Sequence, residues 1–429
     1  MGKNSFLNHT LLSKSNIAVF LALVMIASFM GSRAILSMSM IAFGANALRD
    51  VHPRQWLKQR WWLLGLVWVG LYAASWFWSE NKHEWGVYTQ VKLPFLLLPL
   101  SFAFLPAFSA RQLQVFTLGQ SLFTLLGVCF SISFLVRDPV HYIHGYGYSK
   151  ILPTPVYDDH ISFSIFVVLV IAWTLFYFPN LRGRAARWFA GIVAAICFVY
   201  LHVLSAKTGL LGVYILLLGW SLYIASRKKP LISVLICASL VAGVFLAYQV
   251  VPTFNARVKY MVWSYAQYKQ GDETGNYGDI GRIMSYRIGS RLIAAHPLTG
   301  VGAGDILDDM KKGYDRWYPQ VPDEQRLIPH NQFMVIALAT GIPSLFFFLW
   351  WIIAPLRLVK RNRIGFFFVI TWLLIQVPQM VDPSLEIQFG VFVYLFFLLL
   401  MRHFLLHPEQ AEPGTNKLPD DEFYSHISS

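Results

Sequence analysis

Residues 330–353 read HNQFMVIALATGIPSLFFFLWWII: three polar residues, then an apolar run interrupted only by Thr340, Gly341, Pro343 and Ser344. As a helix rising 1.5 Å per residue, such a run crosses a hydrocarbon core of roughly 30 Å. The rest of the chain has the same character. Of 429 residues 56% are hydrophobic, 13% are charged and 15 are Trp, whereas a soluble globule carries about a quarter charged residues. The composition therefore implies an all-α, polytopic membrane protein.

A ruler of about 20 apolar residues per span gives about twelve candidate helices. They lie near 16–32, 34–48, 61–78, 92–108, 113–135, 160–179, 188–204, 209–226, 231–251, 330–353, 363–381 and 386–404. The chain then divides into spans over 1–251, a long loop over 252–329, further spans over 330–404 and a polar tail over 405–429. The second span is short, and Pro94, Pro99 and Pro106 punctuate the fourth.

Basic residues orient the bundle, because Lys and Arg collect in short cytoplasmic loops. Arg49, Arg54, Lys58 and Arg60 precede the third span, and Arg182, Arg184 and Arg187 the seventh. Arg227, Lys228 and Lys229 precede the ninth, and Arg357, Lys360, Arg361 and Arg363 the eleventh. Every cluster follows an even number of spans. Both termini are thus expected on the cytoplasmic side, with residues 136–159, 205–209 and 252–329 on the other.

The formal charge of +13 resides largely in those clusters, where anionic headgroups are the expected partner rather than nucleic acid. The long loop is nearly balanced, with ten Lys or Arg against nine Asp or Glu. Cys129, Cys197 and Cys237 lie in apolar spans without metal-ligand or disulfide spacing. The first apolar run lacks a small-x-small cleavage site and reads as an uncleaved first helix.

The titratable residues outside lipid gather in the long loop. GDIGRIMSYRIGSRLIAAH predicts a helix from about Asp279 to His296, closed by Pro297 and Gly300. On it Arg287 and Arg291 share a face and Arg282 points well away. Each arginine is either part of a headgroup-facing surface or a fork that clamps phosphate. GVGAG (300–304) is not followed by the Lys-Ser/Thr of a nucleotide loop, so its glycines are read as a tight reversal. Nucleotides are not expected on this face. His330 opens the tenth span as an interfacial residue or as a base, since an imidazole exchanges a proton near neutral pH. Lys207 stands in a short turn, where a snorkelling lysine is the ordinary alternative. His141, His144, Asp158, Asp159 and His160 crowd one loop with no metal-specific spacing.

These residues carry a resemblance. Arg282, Tyr286 four residues on, HPLTGVGAG (296–304) and PHNQFMVIALATGIP (329–343) resemble the O-antigen ligase and polymerase superfamily of bacterial envelope glycosyltransferases. The ligase pattern of His, then Asn, Ser or Gln, nine residues and Gly is met by His330, Asn331 and Gly341. Ser344 stands where Gly, Thr or Val is usual. SAKTG (205–209) resembles the family's Ser-Arg turn with Lys207 for arginine, which keeps the charge and lacks the fork.

The resemblance implies a GT-C-like enzyme of the bacterial inner membrane, with its site facing the periplasm. It would transfer a glycan, with inversion, from undecaprenyl pyrophosphate to a sugar hydroxyl of lipid A-core, without metal, cofactor or nucleotide. Arg282, Lys207 and Arg287 would hold the pyrophosphate, and His330 would deprotonate or orient the acceptor. Asn331, Arg291 and His160 would support them. An O-antigen polymerase uses the same donor and is the near rival. A transporter or flippase for lipid-linked sugars is the rival of another class, against which the few ionisable residues inside the spans count.

Overall fold

The computed structural model describes residues 13–49, 51, 60–148, 150–156, 159–227, 229–269 and 280–410, and every regular element among them is helical. Two short helices, α1 (Lys14–Phe29) and α2 (Arg33–Leu48), form the first hairpin. The Ser13 and Ser32 side chains cap them by accepting from the N–H groups of Asn16 and Ile35. After α3 (Arg60–Ala74) the expected fourth span is absent as a single rod. The 11-residue α4 (Lys82–Lys92) precedes it, and of residues 92–108 only the ten of α5 (Pro94–Ala103) form a helix of the bundle. Pro94 lacks an N–H and crowds the residue before it, so it starts a helix more readily than it continues one.

The middle of the chain matches the ruler better. It forms α6 (Ala110–Arg137), α7 (Pro139–Tyr146), α8 (His160–Tyr177), α9 (Arg184–Leu204), α10 (Lys207–Ser226) and α11 (Pro230–Val250). The long loop is built from α12 (Pro252–Lys269), α13 (Ile280–Ala295) and α14 (Ile306–Trp317). Finally α15 (Gln332–Ile353), α16 (Arg363–Gln379) and α17 (Gln388–Leu406) return to the bundle.

Among the described residues seven helices are long and apolar enough to cross a membrane, and four apolar ones are shorter, rather than twelve full spans. The shorter ones are Lys14–Phe29, Arg33–Leu48, Leu63–Phe77 and Arg363–Gln379. Sixteen residues, as in α1 and α2, rise only about 24 Å, less than a full hydrocarbon core. Several apolar helices nonetheless make this a multi-pass membrane protein.

At its centre α8 and α17 are almost wholly buried and apolar along most of their length, with Arg402 and His403 near the end of α17. Phe29 of α1 fills the space between them, its ring 4.9 Å from that of Phe166 and 5.6 Å from that of Phe392. By contrast α11 buries only Ser233 and Ala247, so its other apolar side chains face outward.

The loop that carries the reversal expected at residues 300–304 docks onto a broken membrane helix. Within α15, Gly341 has φ 84° and Pro343 follows. Proline supplies no N–H to the Ala339 carbonyl, and the Gly302 N–H takes it at 3.1 Å. The Val301 N–H takes the Leu338 carbonyl at 2.8 Å, and the Ile342 N–H turns to Pro297 O at 2.8 Å. A Cβ on Gly300 (φ 66°) would lie 2.4 Å from Leu338 O, and one on Gly341 2.2 Å from Leu298 O. The glycines are there for backbone approach.

Candidate functional site

A cavity of about 300 Å³ opens beside the long loop, and its lining includes His160, Lys207, Arg257, Tyr260, Arg282 and Val381. Two of these begin helices. His160 follows Asp159, whose carboxylate accepts from the Ser162 N–H at 2.8 Å and caps α8. Lys207 follows a turn in which Ser205 adopts φ 51° and donates its hydroxyl to His202 O at 2.6 Å, so α10 starts at the lysine itself. Asp159 takes the N-terminus of α8, whereas that of α10 has no side-chain cap and presents N–H groups and partial positive charge, which favour an anion. Arg257 comes from α12 and Arg282 from α13, so cations from three separate elements meet around one space. Such a set can hold a multiply charged anion by charge and by directed hydrogen bonds.

Val381 joins this cavity to the start of α15. Asn331 caps that helix by accepting from Met334 N–H at 3.0 Å, and donates from Nδ2 to Met380 O at 3.1 Å. Its side chain therefore ties the two loops together. Nδ1 of His330 lies 3.5 Å from Oδ1 of Asp382, and this buried nitrogen makes no hydrogen bond. The separation is longer than an ordinary N–H···O bond, so a shift of a few tenths of an ångström would make one. With Nδ1 facing Asp382, Nε2 is the nitrogen left for a substrate. Burial, with the negative charge of Asp382 nearby, pushes the Asp159 carboxyl above its ordinary value, against the Ser162 hydrogen bonds and the charge of Arg33.

Of the residues singled out in the sequence, Arg282, Lys207 and His160 line one cavity, and His330 and Asn331 stand at its edge through residues 380–382. Arg287 and Arg291 are exposed and outside the lining. The Arg291 guanidinium lies 4.7 Å from the Trp317 ring centroid, an ordinary surface cation–π contact. Asp158 lies outside the described residues. Among the described residues no three His, Cys, Asp or Glu side chains form a group suited to a metal ion.

Arg257, Asp382, Lys92 and Glu386 escape the sequence reading. Arg257 is one basic residue among ten in the loop. Asp382 sits in the short turn after the eleventh expected span, on the same side as His330, and its side of the membrane is the signal that would have marked it. Lys92 and Glu386 stand at the first positions of expected spans and pair at 2.7 Å inside the protein. Two ionisable groups are thus buried where few were expected.

Residues 193–349 match the family model of the O-antigen ligases. None of the curated proteins compared with the chain matches it. The matched stretch holds Lys207, Arg257, Arg282, His330 and the break in α15 at Gly341, and supports membership of the O-antigen ligase superfamily, whose activities are of ligase or polymerase type.

Proposed function

We propose that this chain is an O-antigen ligase, an inverting glycosyltransferase that moves a glycan from undecaprenyl pyrophosphate to a sugar hydroxyl of lipid A-core at the periplasmic face of the inner membrane. The observation that carries the reading is the convergence of Arg282, Lys207 and Arg257 on one cavity whose edge leads to His330. The acceptor oxygen attacks the anomeric carbon while the bond from that carbon to the pyrophosphate oxygen breaks. The acceptor proton passes to His330 Nε2, and undecaprenyl pyrophosphate leaves with the bonding pair.

Each group has a physical task. The three cations stabilise the charge that grows on the leaving group, and losing one such donor costs on the order of 100-fold in rate. Asp382 stabilises the imidazolium and fixes which nitrogen faces the acceptor, as an orienting carboxylate does for a catalytic histidine. Arg287 and Arg291, outside the lining, are left to the loop surface. The cations do the work with no step assigned to a metal or cofactor.

The test is transfer by purified protein supplied with undecaprenyl-pyrophosphate glycan and lipid A-core, comparing wild type with His330→Ala and Arg282→Ala. Glycosylated lipid A-core from wild type and loss in both variants supports the reading. Extension of the glycan on its polyprenyl carrier, with lipid A-core untouched, makes the chain a polymerase instead.

A further inference from the structure

Behind the His330–Asp382 pair lies a buried polar clamp. Gln332, two residues beyond His330, donates from Nε2 to Glu386 Oε1 at 2.6 Å and accepts the Leu385 N–H at Oε1 at 2.8 Å. Glu386, four residues beyond Asp382, takes the Lys92 ammonium at Oε2 at 2.7 Å. The same ammonium donates to the Leu385 carbonyl at 2.7 Å and lies 5.2 Å from the Tyr72 ring centroid. Lys92 and Gln332 are 0% exposed. Three elements distant in sequence, α4, the start of α15 and the turn before α17, are pinned at one point.

A buried ion pair is a poor device for stability alone, because desolvation offsets the attraction and well-packed apolar residues serve as well or better. What it can supply is register, since the carboxylate, amide and ammonium join the three elements through four hydrogen bonds of 2.6–2.8 Å. The register fixed here is that of the two segments bearing His330 and Asp382, whose separation stands just beyond hydrogen-bond length. We infer that Lys92 is a positioning residue for the His330–Asp382 pair, acting through Glu386 and Gln332. The inference rests on His330 being the base of the proposed reaction.

Lys92→Met alone leaves Glu386 buried without its counter-ion and can fail to fold, so the working variant is Lys92→Met/Glu386→Gln, in which residue 386 can still bond Gln332. Full-length protein in nanodiscs is assayed for transfer with Asp or Asn at position 382. With Asp382 present, kcat falls on the order of 10-fold to 100-fold, the scale of a small misplacement of reacting groups, and KM for both substrates stays within about twofold. In the Asp382→Asn background the same pair of changes has no further effect, since residues that act as a unit are not additive. Unchanged kcat, a loss carried by KM, or an equal loss in both backgrounds overturns the inference and leaves a structural staple.

Failure of the proposed reaction shows separately, as absence of transfer by wild type. The clamp is then read without turnover, from an experimental structure of the double variant. A His330–Asp382 separation wider than in wild type supports positioning, and an unchanged separation overturns it.

Discussion

The Tyr286 hydroxyl donates to the carbonyl oxygen of His330 at 2.7 Å. Tyr286 stands one helical turn after Arg282, so residues i and i+4 of α13 share a face. One contacts the histidine segment and the other lines the cavity. The spacing of arginine and tyrosine in the sequence is therefore a distance ruler between the cation-lined cavity and the start of α15. The contact is reinforced at Gly289, where a Cβ would lie 2.7 Å from Pro329 Cγ.

Removing that hydroxyl tests the ruler. Tyr286→Phe forfeits one hydrogen bond worth about 1 kcal/mol, and transfer should fall about fivefold. Arg282→Ala should lose on the order of 100-fold, because it removes a charge-stabilising donor. Transfer rates with the same donor and acceptor compare the two. A loss for Tyr286→Phe as large as that for Arg282→Ala would assign the tyrosine to the chemistry rather than to spacing.

The lysine at position 207 offers a test in the opposite direction. Lys207→Ala should reduce transfer on the order of 100-fold, whereas Lys207→Arg keeps the charge and adds a bidentate fork. Activity within a few-fold of wild type for Lys207→Arg, with an unchanged or lower KM for the pyrophosphate donor, would fit an anion-holding role. Wild-type rates for Lys207→Ala would remove the residue from the site.

The membrane class, the helical long loop and the closure of its helix near Pro297 are legible in sequence because each follows from composition or from proline chemistry. The span count is not, since a residue count cannot tell a helix that stops at 16 residues from one that crosses. Arg282, Lys207 and His330 are legible as motif residues. Arg257 and Asp382 are not, because long-range packing alone brings α12 and the turn before α17 to the others. The Lys92–Glu386 pair is least legible of all. Each member looks like an interfacial charge at the end of a span until the two are found 2.7 Å apart.

The docking of the 296–304 loop onto α15 predicts which glycines are irreplaceable. Gly341→Ala would place a side chain at φ 84° and ψ 170°, a backbone region essentially reserved for glycine, costing about 1–3 kcal/mol in strain alone. The added Cβ would also meet Leu298 O at 2.2 Å. Its unfolding temperature in detergent should fall below that of wild type. Gly243→Ala, where nothing lies within 4 Å of the added Cβ, should not lower it. Equal thermal stability of Gly341→Ala and wild type would contradict the docking.

Asp159 makes stability depend on pH in a direction that can be fixed in advance. Burial first, and the charge of Asp382 with it, raises its carboxyl above the ordinary value, and its buried Oδ2 has no hydrogen-bond partner. An acid raised in the folded state keeps a proton that the unfolded chain has already released. Between the ordinary value of about 3.9 and the raised one the native state holds more protons, so stability falls as pH rises, and above that window the cost stays. Asp159→Asn keeps an oxygen to accept from the Ser162 N–H, now 2.8 Å away, and asparagine caps as well as aspartate. The variant should therefore unfold at a higher temperature than wild type at pH 7, and the gap should close below about pH 4. A gap of one size from pH 4 to pH 8 would mean that Asp159 carries no raised proton affinity and that the asparagine acts by another route.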